Sequence, residues 1–271
     1  MKNVIITGTG RSGTSMLAGT LAHSGYFIGT DYVPPRDSNP KGFFEGEEIN
    51  AVNERILEYS LPLGQRLQQP VLRLARKLGL PWQSRRALHR LGQGWLMSVP
   101  LSARMRGNES IGREIAALTA RTPFCFKDPR FSYTLPVWRP HLDLEKTVFL
   151  CIFRDPAETA ASIAKECQAQ SYLRGIRMTT GELLNLWRLM YTHIVERHRH
   201  HGRWMFVHYT QLFDESFLPR LADFTGARPD SSFPDAALHR SRPDVPLDVQ
   251  TRTLYAELCA LAGVDPDETG P

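Results

Sequence analysis

Apolar residues in this chain collect into short continuous runs, separated by longer stretches in which they recur every three or four positions. Runs at 3–7 ("NVIIT"), 124–127 ("FCFK"), 147–154 ("TVFLCIFR") and 205–209 ("MFVHY") have the length and continuity of strands buried on both faces. Helical periodicity covers 13–24, 47–59, 156–168, 180–200, 215–225 and 249–262. Pro156 suits the first turn of a helix, where its missing N–H costs nothing. Strands alternating with helices predict one α/β domain, a central parallel β-sheet flanked by helices. Ligands of such sheets bind beyond the carboxyl ends of the strands. Chemistry is therefore expected at the turn 8–15, at "KDPR" (127–130), at "RDP" (154–156) and at His208 and Tyr209.

One region breaks the pattern. Residues 59–108 hold Arg66, Arg73, Arg76, Lys77, Arg85, Arg86, Arg90, Arg104 and Arg106 without a single Asp or Glu, with Leu at helical spacings and Trp82 and Trp95 among them. This predicts a basic helical insertion in a domain spanning 1–262, followed by a flexible tail at 263–271. Its simplest role is an amphipathic helix pair packed on the domain. Its functional role would be a lid or acceptor wall facing an acidic, lipid-linked or glycan acceptor, or an anionic membrane surface.

With 271 residues the chain can bury a full core, and its formal charge of +5 suits an anionic ligand. No RNA- or DNA-binding motif accompanies the charge, so nucleic acid is not expected as a partner. The first glycine arrives too soon for a signal peptide, and no apolar run is long enough to span a bilayer. Cys125, Cys151, Cys167 and Cys259 are widely spaced and form no C-x-x-C pair, which predicts reduced core thiols. Together these features predict a cytoplasmic protein with no transmembrane segment.

The turn "GTGRSGTS" carries the first chemistry. Gly8, Gly10 and Gly13 spell G-x-G-x-x-G, while Gly8, Gly13 and Ser15 keep the skeleton of G-x-x-x-x-G-K-[ST]. Thr14 stands where the lysine of that second pattern belongs, and Arg11 precedes it by three residues. Without the lysine, ordinary hydrolysis of ATP or GTP is disfavoured. The N–H groups of a strand–turn–helix nest still attract an anion, and Arg11, Ser12, Thr14 and Ser15 add one cation and three hydroxyls. A compact tetrahedral anion held without a metal fits best. A dinucleotide site would need an acid near the end of a second strand, and Asp31 stands at a suitable distance.

A second clamp follows in "FRDPAETAASIAKE", where Arg154 ends a buried strand and Ser162 lies two turns into the next helix. Two anion sites at one sheet edge suggest a nucleotide phosphorylated at two positions. The competing local role is an Arg154–Asp155 pair with Ser162 bonded to its own helix.

These two motifs resemble those of sulfotransferases that use 3′-phosphoadenosine 5′-phosphosulfate (PAPS), which have a P-loop-like fold. "GTGRSGTS" is similar to the family's 5′-phosphosulfate loop and "FRDPAETAASIAKE" to its 3′-phosphate element. "DSNPKGFFEGEEIN", "KDPRFSYTLPVW" and "FVHYTQLFDESFLPRLADFTG" look like segments of its bacterial branch. The likeness weakens at 59–108 and after Gly226. It implies that Arg11, Ser12, Gly13, Thr14 and Ser15 hold the 5′-phosphosulfate, that Arg154 and Ser162 hold the 3′-phosphate, and that Lys127 approaches the transferring sulfuryl group. The family's C-terminal cofactor loop has no clear counterpart; in "HRSRPD", Arg240 or Arg242 stands as its substitute.

The implied reaction moves a sulfuryl group in line from PAPS, leaving PAP, to a hydroxyl, or second in order an amine, of a small-molecule or glycoconjugate acceptor, with no metal required. Arg11 and Lys127 would stabilise charge, and a general base is needed among Glu45, Glu47 and Glu48. Glu45 is preferred because it follows two aromatics, where partial burial is expected to raise its pKa. His23, His141 and His208 fit core or surface roles better, and "HIVERHRHH" fits a helix C-terminus better than a zinc site. The alternatives are a nucleotide or small-molecule kinase with a degenerate P-loop and a non-catalytic nucleotide-binding protein.

Overall fold

The computed structural model describes residues 1–35, 39, 41–60, 92–234 and 245–266. Four strands, β1 (Asn3–Thr7), β2 (Cys125–Lys127), β3 (Thr147–Phe153) and β4 (Arg203–His208), form one parallel sheet in the order β2-β1-β3-β4. Ile6 lies opposite both Lys127 and Leu150, and Phe153 opposite His208. This register stops the strands at one level, so Gly8, Asp128, Arg154 and Tyr209 all leave the sheet at the same edge. The fold is α/β, as the alternation of runs and periodic stretches predicts.

Every residue of β1 and β3 is buried. Their alternate side chains serve opposite faces. Val4, Ile6, Val148 and Leu150 pack with Leu17 and Leu21 of α1 (Thr14–Ala22), while Ile5 and Phe149 pack with α2 (Glu47–Tyr59), α3 (Glu109–Thr119) and α4 (Phe131–Trp138). Further α-helices among the described residues are α5 (Pro156–Ala169), α6 (Thr180–His193), α7 (Phe217–Thr225) and α8 (Val249–Ala262).

Several element ends differ from the sequence reading. Helix α1 starts one residue late and ends at Ala22. Phe124 lies outside β2 and makes only a single bridge to Phe27. Strand β3 ends at Phe153, and β4 starts at Arg203, where Trp204 stacks on Phe149 with ring centres 4.8 Å apart. The expected helix 180–200 ends at His193 and widens into a π turn, Ile194–His198.

Helices α3 and α4 were not expected. In "FSYTLPVW" six of eight residues are buried and Pro136 interrupts, so no amphipathic period appears. Pro136 has no N–H for the carbonyl of Ser132, and that oxygen instead accepts the Nε2–H of His198 at 3.0 Å. Within the basic insertion, residues 61–91 lie outside the described residues. Of the remainder, Leu96 and Val99 are buried and Arg104 and Arg106 exposed. Residues 267–271 of the expected tail also lie outside them. All four cysteines are buried and free, and burial pushes Cys125 up to about 12 and Cys259 to about 11. Among the described residues no helix is long and apolar enough to cross a membrane.

Candidate functional site

The turn after β1 is shaped by two glycines. Gly8 has φ +142°, and a Cβ there would lie 2.2 Å from the Ile152 carbonyl oxygen; at Gly13, with φ +98°, it would lie 2.5 Å from the Tyr209 ring. Gly13 is the N-cap of α1 and brings no side-chain cap, and the first intrahelical bond is Leu17 N–H to Gly13 O at 3.0 Å. The N–H groups of Thr14, Ser15 and Met16 therefore precede the helix's own ladder. They border a cavity of about 740 Å³ that the loop, α5, Lys127 and Trp95 also line. Gly10 presses on Trp95, where a Cβ would lie 2.5 Å from the indole. Ser12 acts inside the loop: its hydroxyl donates to Thr9 O at 2.7 Å and to Ile152 O at 3.3 Å.

Helix α5 supplies the opposite wall. Asp155 caps it by accepting the Glu158 N–H at 3.0 Å, and the competing local role, an Arg154–Asp155 pair, is not the pair that forms. Arg154 instead donates Nε–H to Glu158 at 2.5 Å and lies over the Tyr209 ring at 4.7 Å. Two turns along, Ser162 accepts the Nε–H of Arg11 at 3.2 Å, and Glu166 lies 3.7 Å from the same guanidinium. Tyr172 donates its hydroxyl to Glu166 at 2.9 Å. Arg11, Gly13, Thr14 and Ser15 of the first expected anion clamp thus share one cavity with Arg154 and Ser162 of the second, and the Arg11–Ser162 hydrogen bond joins the two groups.

Lys127, its side chain only 1% exposed, pairs with Glu45 and donates to Ser15 Oγ at 3.2 Å. Glu45 takes a second hydrogen bond, from Asn50 Nδ2 at 2.8 Å. Burial alone would raise the pKa of Glu45, which was the expectation. The Lys127 charge and hydrogen bond, the Arg130 charge and Asn50 together outweigh burial, and the carboxyl lies below its ordinary 4.5. Of the other two carboxylates, Glu47 is exposed and Glu48 accepts the Thr30 N–H at 2.8 Å; neither borders the cavity.

Arg130, which ends the "KDPR" segment but was not singled out within it from sequence, is also at the site. It borders the cavity and donates to Glu54 at 2.5 Å, to Asp128 at 3.0 Å and to Gly92 O at 3.2 Å, while Gly94 N–H reaches Glu54 at 2.7 Å. Burial raises the pKa of Glu54 against the pull of Arg130. Behind this group, Asn53 donates to Asp128 at 2.8 Å and accepts from Thr134 and Trp138 at 2.7 and 2.8 Å. Asn53→Ala strands three buried partners, on α4 and in the turn after β2, and is expected to cost about 2–4 kcal/mol. Urea unfolding checks this; a loss below about 0.5 kcal/mol would show that the network relaxes freely.

A family model described as the sulfotransferase family matches residues 3–228. The chain belongs to that family. A solved structure agrees on the fold. The sulfotransferase domain of the Synechococcus PCC 7002 olefin synthase superposes with a TM-score of 0.50 at 17% identity, covering 96% of each chain. The sulfotransferase domain from the curacin biosynthetic pathway gives 0.49 at 15% identity, covering 95% of this chain and 97% of that one. No curated protein matches the chain.

Other described residues of this sulfotransferase singled out from sequence stand apart from the cavity. Arg240 and Arg242 lie outside the described residues. Asp31 is exposed, and the stretch before it forms no second strand, which removes the dinucleotide geometry. His208 is buried, 2.7 Å from Thr210 Oγ1 and 3.2 Å from the Tyr255 hydroxyl. The histidine run does lie at the end of a long helix, but His193 and His198 are buried and hydrogen-bond to the carbonyls of Val99 and Ser132, away from their own helix, at 3.1 and 3.0 Å. Burial lowers His198 to about 3, so it stays neutral. Among the described residues no three His, Cys, Asp or Glu side chains converge as a metal site.

Proposed function

We propose that this sulfotransferase moves the sulfuryl group of PAPS to a hydroxyl, with an amine second in order, of a small-molecule or glycoconjugate acceptor. The observation that carries the reading is the convergence of Arg11, Arg154 and an uncapped helix N-terminus on one cavity. That donor set suits a nucleotide bearing anions at both its 5′ and 3′ positions. Thr14, Ser15 and the backbone of Gly13 face the 5′ end, with Arg11 beside them, and Ser12 supports the loop from within. Arg154 and Ser162 take the 3′-phosphate. Lys127 on Ser15 puts a cation where a P-loop kinase would hold Mg²⁺, which favours sulfuryl over phosphoryl transfer.

In the reaction the bond from sulfur to the acceptor oxygen forms as the bond to the 5′-phosphate oxygen breaks. Charge grows on that leaving oxygen, and Arg11 and Lys127 stabilise it. The acceptor proton passes to Glu45, which the cations beside it keep ionised, although its lowered pKa makes it a weaker base than burial alone would.

Calorimetric titration of the metal-free protein with PAP, 5′-AMP, ATP with Mg²⁺, and NAD tests the reading. PAP is expected to bind at least about tenfold more tightly than 5′-AMP, because the second clamp then contributes. Preference for ATP with Mg²⁺ or for NAD would overturn it. PAP binding without turnover across a broad acceptor panel would leave a nucleotide-binding protein.

A further inference from the structure

Helix α6 and the π turn that follows it contribute no side chain to the cavity, yet they hold each of its walls from behind. Trp187 Nε1–H donates to Arg154 O at 3.3 Å, at the end of β3. Tyr191 reaches the anion loop. His193 bonds to Val99 O at 3.1 Å, in the segment that carries Trp95, and His198 to Ser132 O at 3.0 Å, in the helix that follows "KDPR". These side chains are all buried, and all bond to backbone groups. The π turn widens the helix between His193 and His198, a local geometry that recurs near functional sites.

Tyr191 makes the most demanding of these contacts. Its hydroxyl donates to Ile152 O at 2.9 Å, accepts the Thr9 N–H at 3.2 Å and lies 3.3 Å from Thr9 Oγ1. Thr9 is fully buried, and its carbonyl oxygen accepts the Ser12 hydroxyl at 2.7 Å. The loop residue between Gly8 and Gly10 is therefore pinned through its N–H and its C=O, the first by a residue 182 positions away. Burial raises the Tyr191 pKa, so the hydroxyl keeps the proton that it donates.

We propose that Tyr191 is a positioning residue for sulfuryl transfer: by holding Thr9 against β3 it sets where the following loop N–H groups point, and so the affinity for the 5′ end of the donor. This rests on the reading above that the loop holds that end. The predicted signature is selective. Tyr191→Phe keeps the ring and its packing but leaves the Thr9 N–H and the Ile152 carbonyl without the hydroxyl.

In full-length ligand-free protein, hydrogen-exchange mass spectrometry should find peptides covering 8–15 exchanging about tenfold faster in Tyr191→Phe, while peptides from the centre of β3 stay unchanged. Calorimetry should find affinities for PAP and 5′-AMP about tenfold weaker and that for adenosine 3′-phosphate unchanged. Leu186→Ala, a fully buried change elsewhere on α6, supplies the comparison for lost packing and should produce neither selective effect. Wild-type exchange in the loop, or equal weakening of all three nucleotides, would overturn the proposal. If the wild-type protein bound none of them, the donor reading would fail, and the exchange measurement would still decide whether Tyr191 holds the loop.

Discussion

Glu45→Gln is expected to lower kcat by about 10²- to 10⁴-fold, the range associated with a positioned general base, while PAP affinity changes by less than about threefold. Glutamine is the informative replacement because its amide oxygen can keep accepting from Lys127, which in the parent is paired with Glu45 and almost fully buried. Alanine would also take away that acceptor oxygen from a buried ammonium, mixing a folding defect into the rate. The pH profile adds a signed test. The folded pKa of Glu45 lies below 4.5, so the carboxylate stays ionised as pH falls through 4.5. Its contribution to stability is fully present above 4.5 and is lost only as pH falls through the lower folded value. The acid limb of kcat/KM should therefore lie below pH 4.5. A limb near neutrality, or full activity in Glu45→Gln, would assign the base to another group.

Arg154→Ala is expected to weaken PAP binding by about 10²-fold or more and to erase most of the preference for PAP over 5′-AMP. Two effects add. On the proposed assignment the 3′-phosphate loses its guanidinium, and Glu158, 5% exposed, loses the cation it is paired to at 2.5 Å just where an anion enters. Arg154→Lys should recover only part of the loss, because an ammonium cannot bond to Glu158, stack on Tyr209 and contact phosphate as a planar fork does. Calorimetric titration of each variant with both nucleotides gives the ratio directly. An unchanged ratio in Arg154→Ala would place the second clamp elsewhere and break the two-site description of the cavity.

The ionic groups in these experiments were legible to different degrees. Arg11, Arg154, Ser162 and Lys127 could be named because each stands in a short motif at a strand end, and the parallel register carries all strand ends to one edge. Of their carboxylate partners only Glu45 was named. Glu166 and Glu158 lie on α5 among other polar residues, and nothing local distinguishes a carboxylate that meets Arg11 from one that meets solvent. Arg130 was visible in "KDPR", but its role depends on Glu54 and on the carbonyl of Gly92, on separate parts of the chain. Helix α4 escaped because a helix buried nearly all round has no polar face to mark its period.

Local sequence was enough for the anion loop and the strands. Positive φ at Gly8 and Gly13 and the buried runs of β1 and β3 follow from backbone sterics and apolar burial, which act over a few residues. Tertiary structure alone decided the electrostatics. Lys127 meets Glu45 across 82 positions and Arg11 meets Ser162 across 151, and these encounters reverse the expected shift of the candidate base and join the two clamps. A pKa depends on every charge within several ångströms, and chain order does not encode which charges those are until the sheet brings them together.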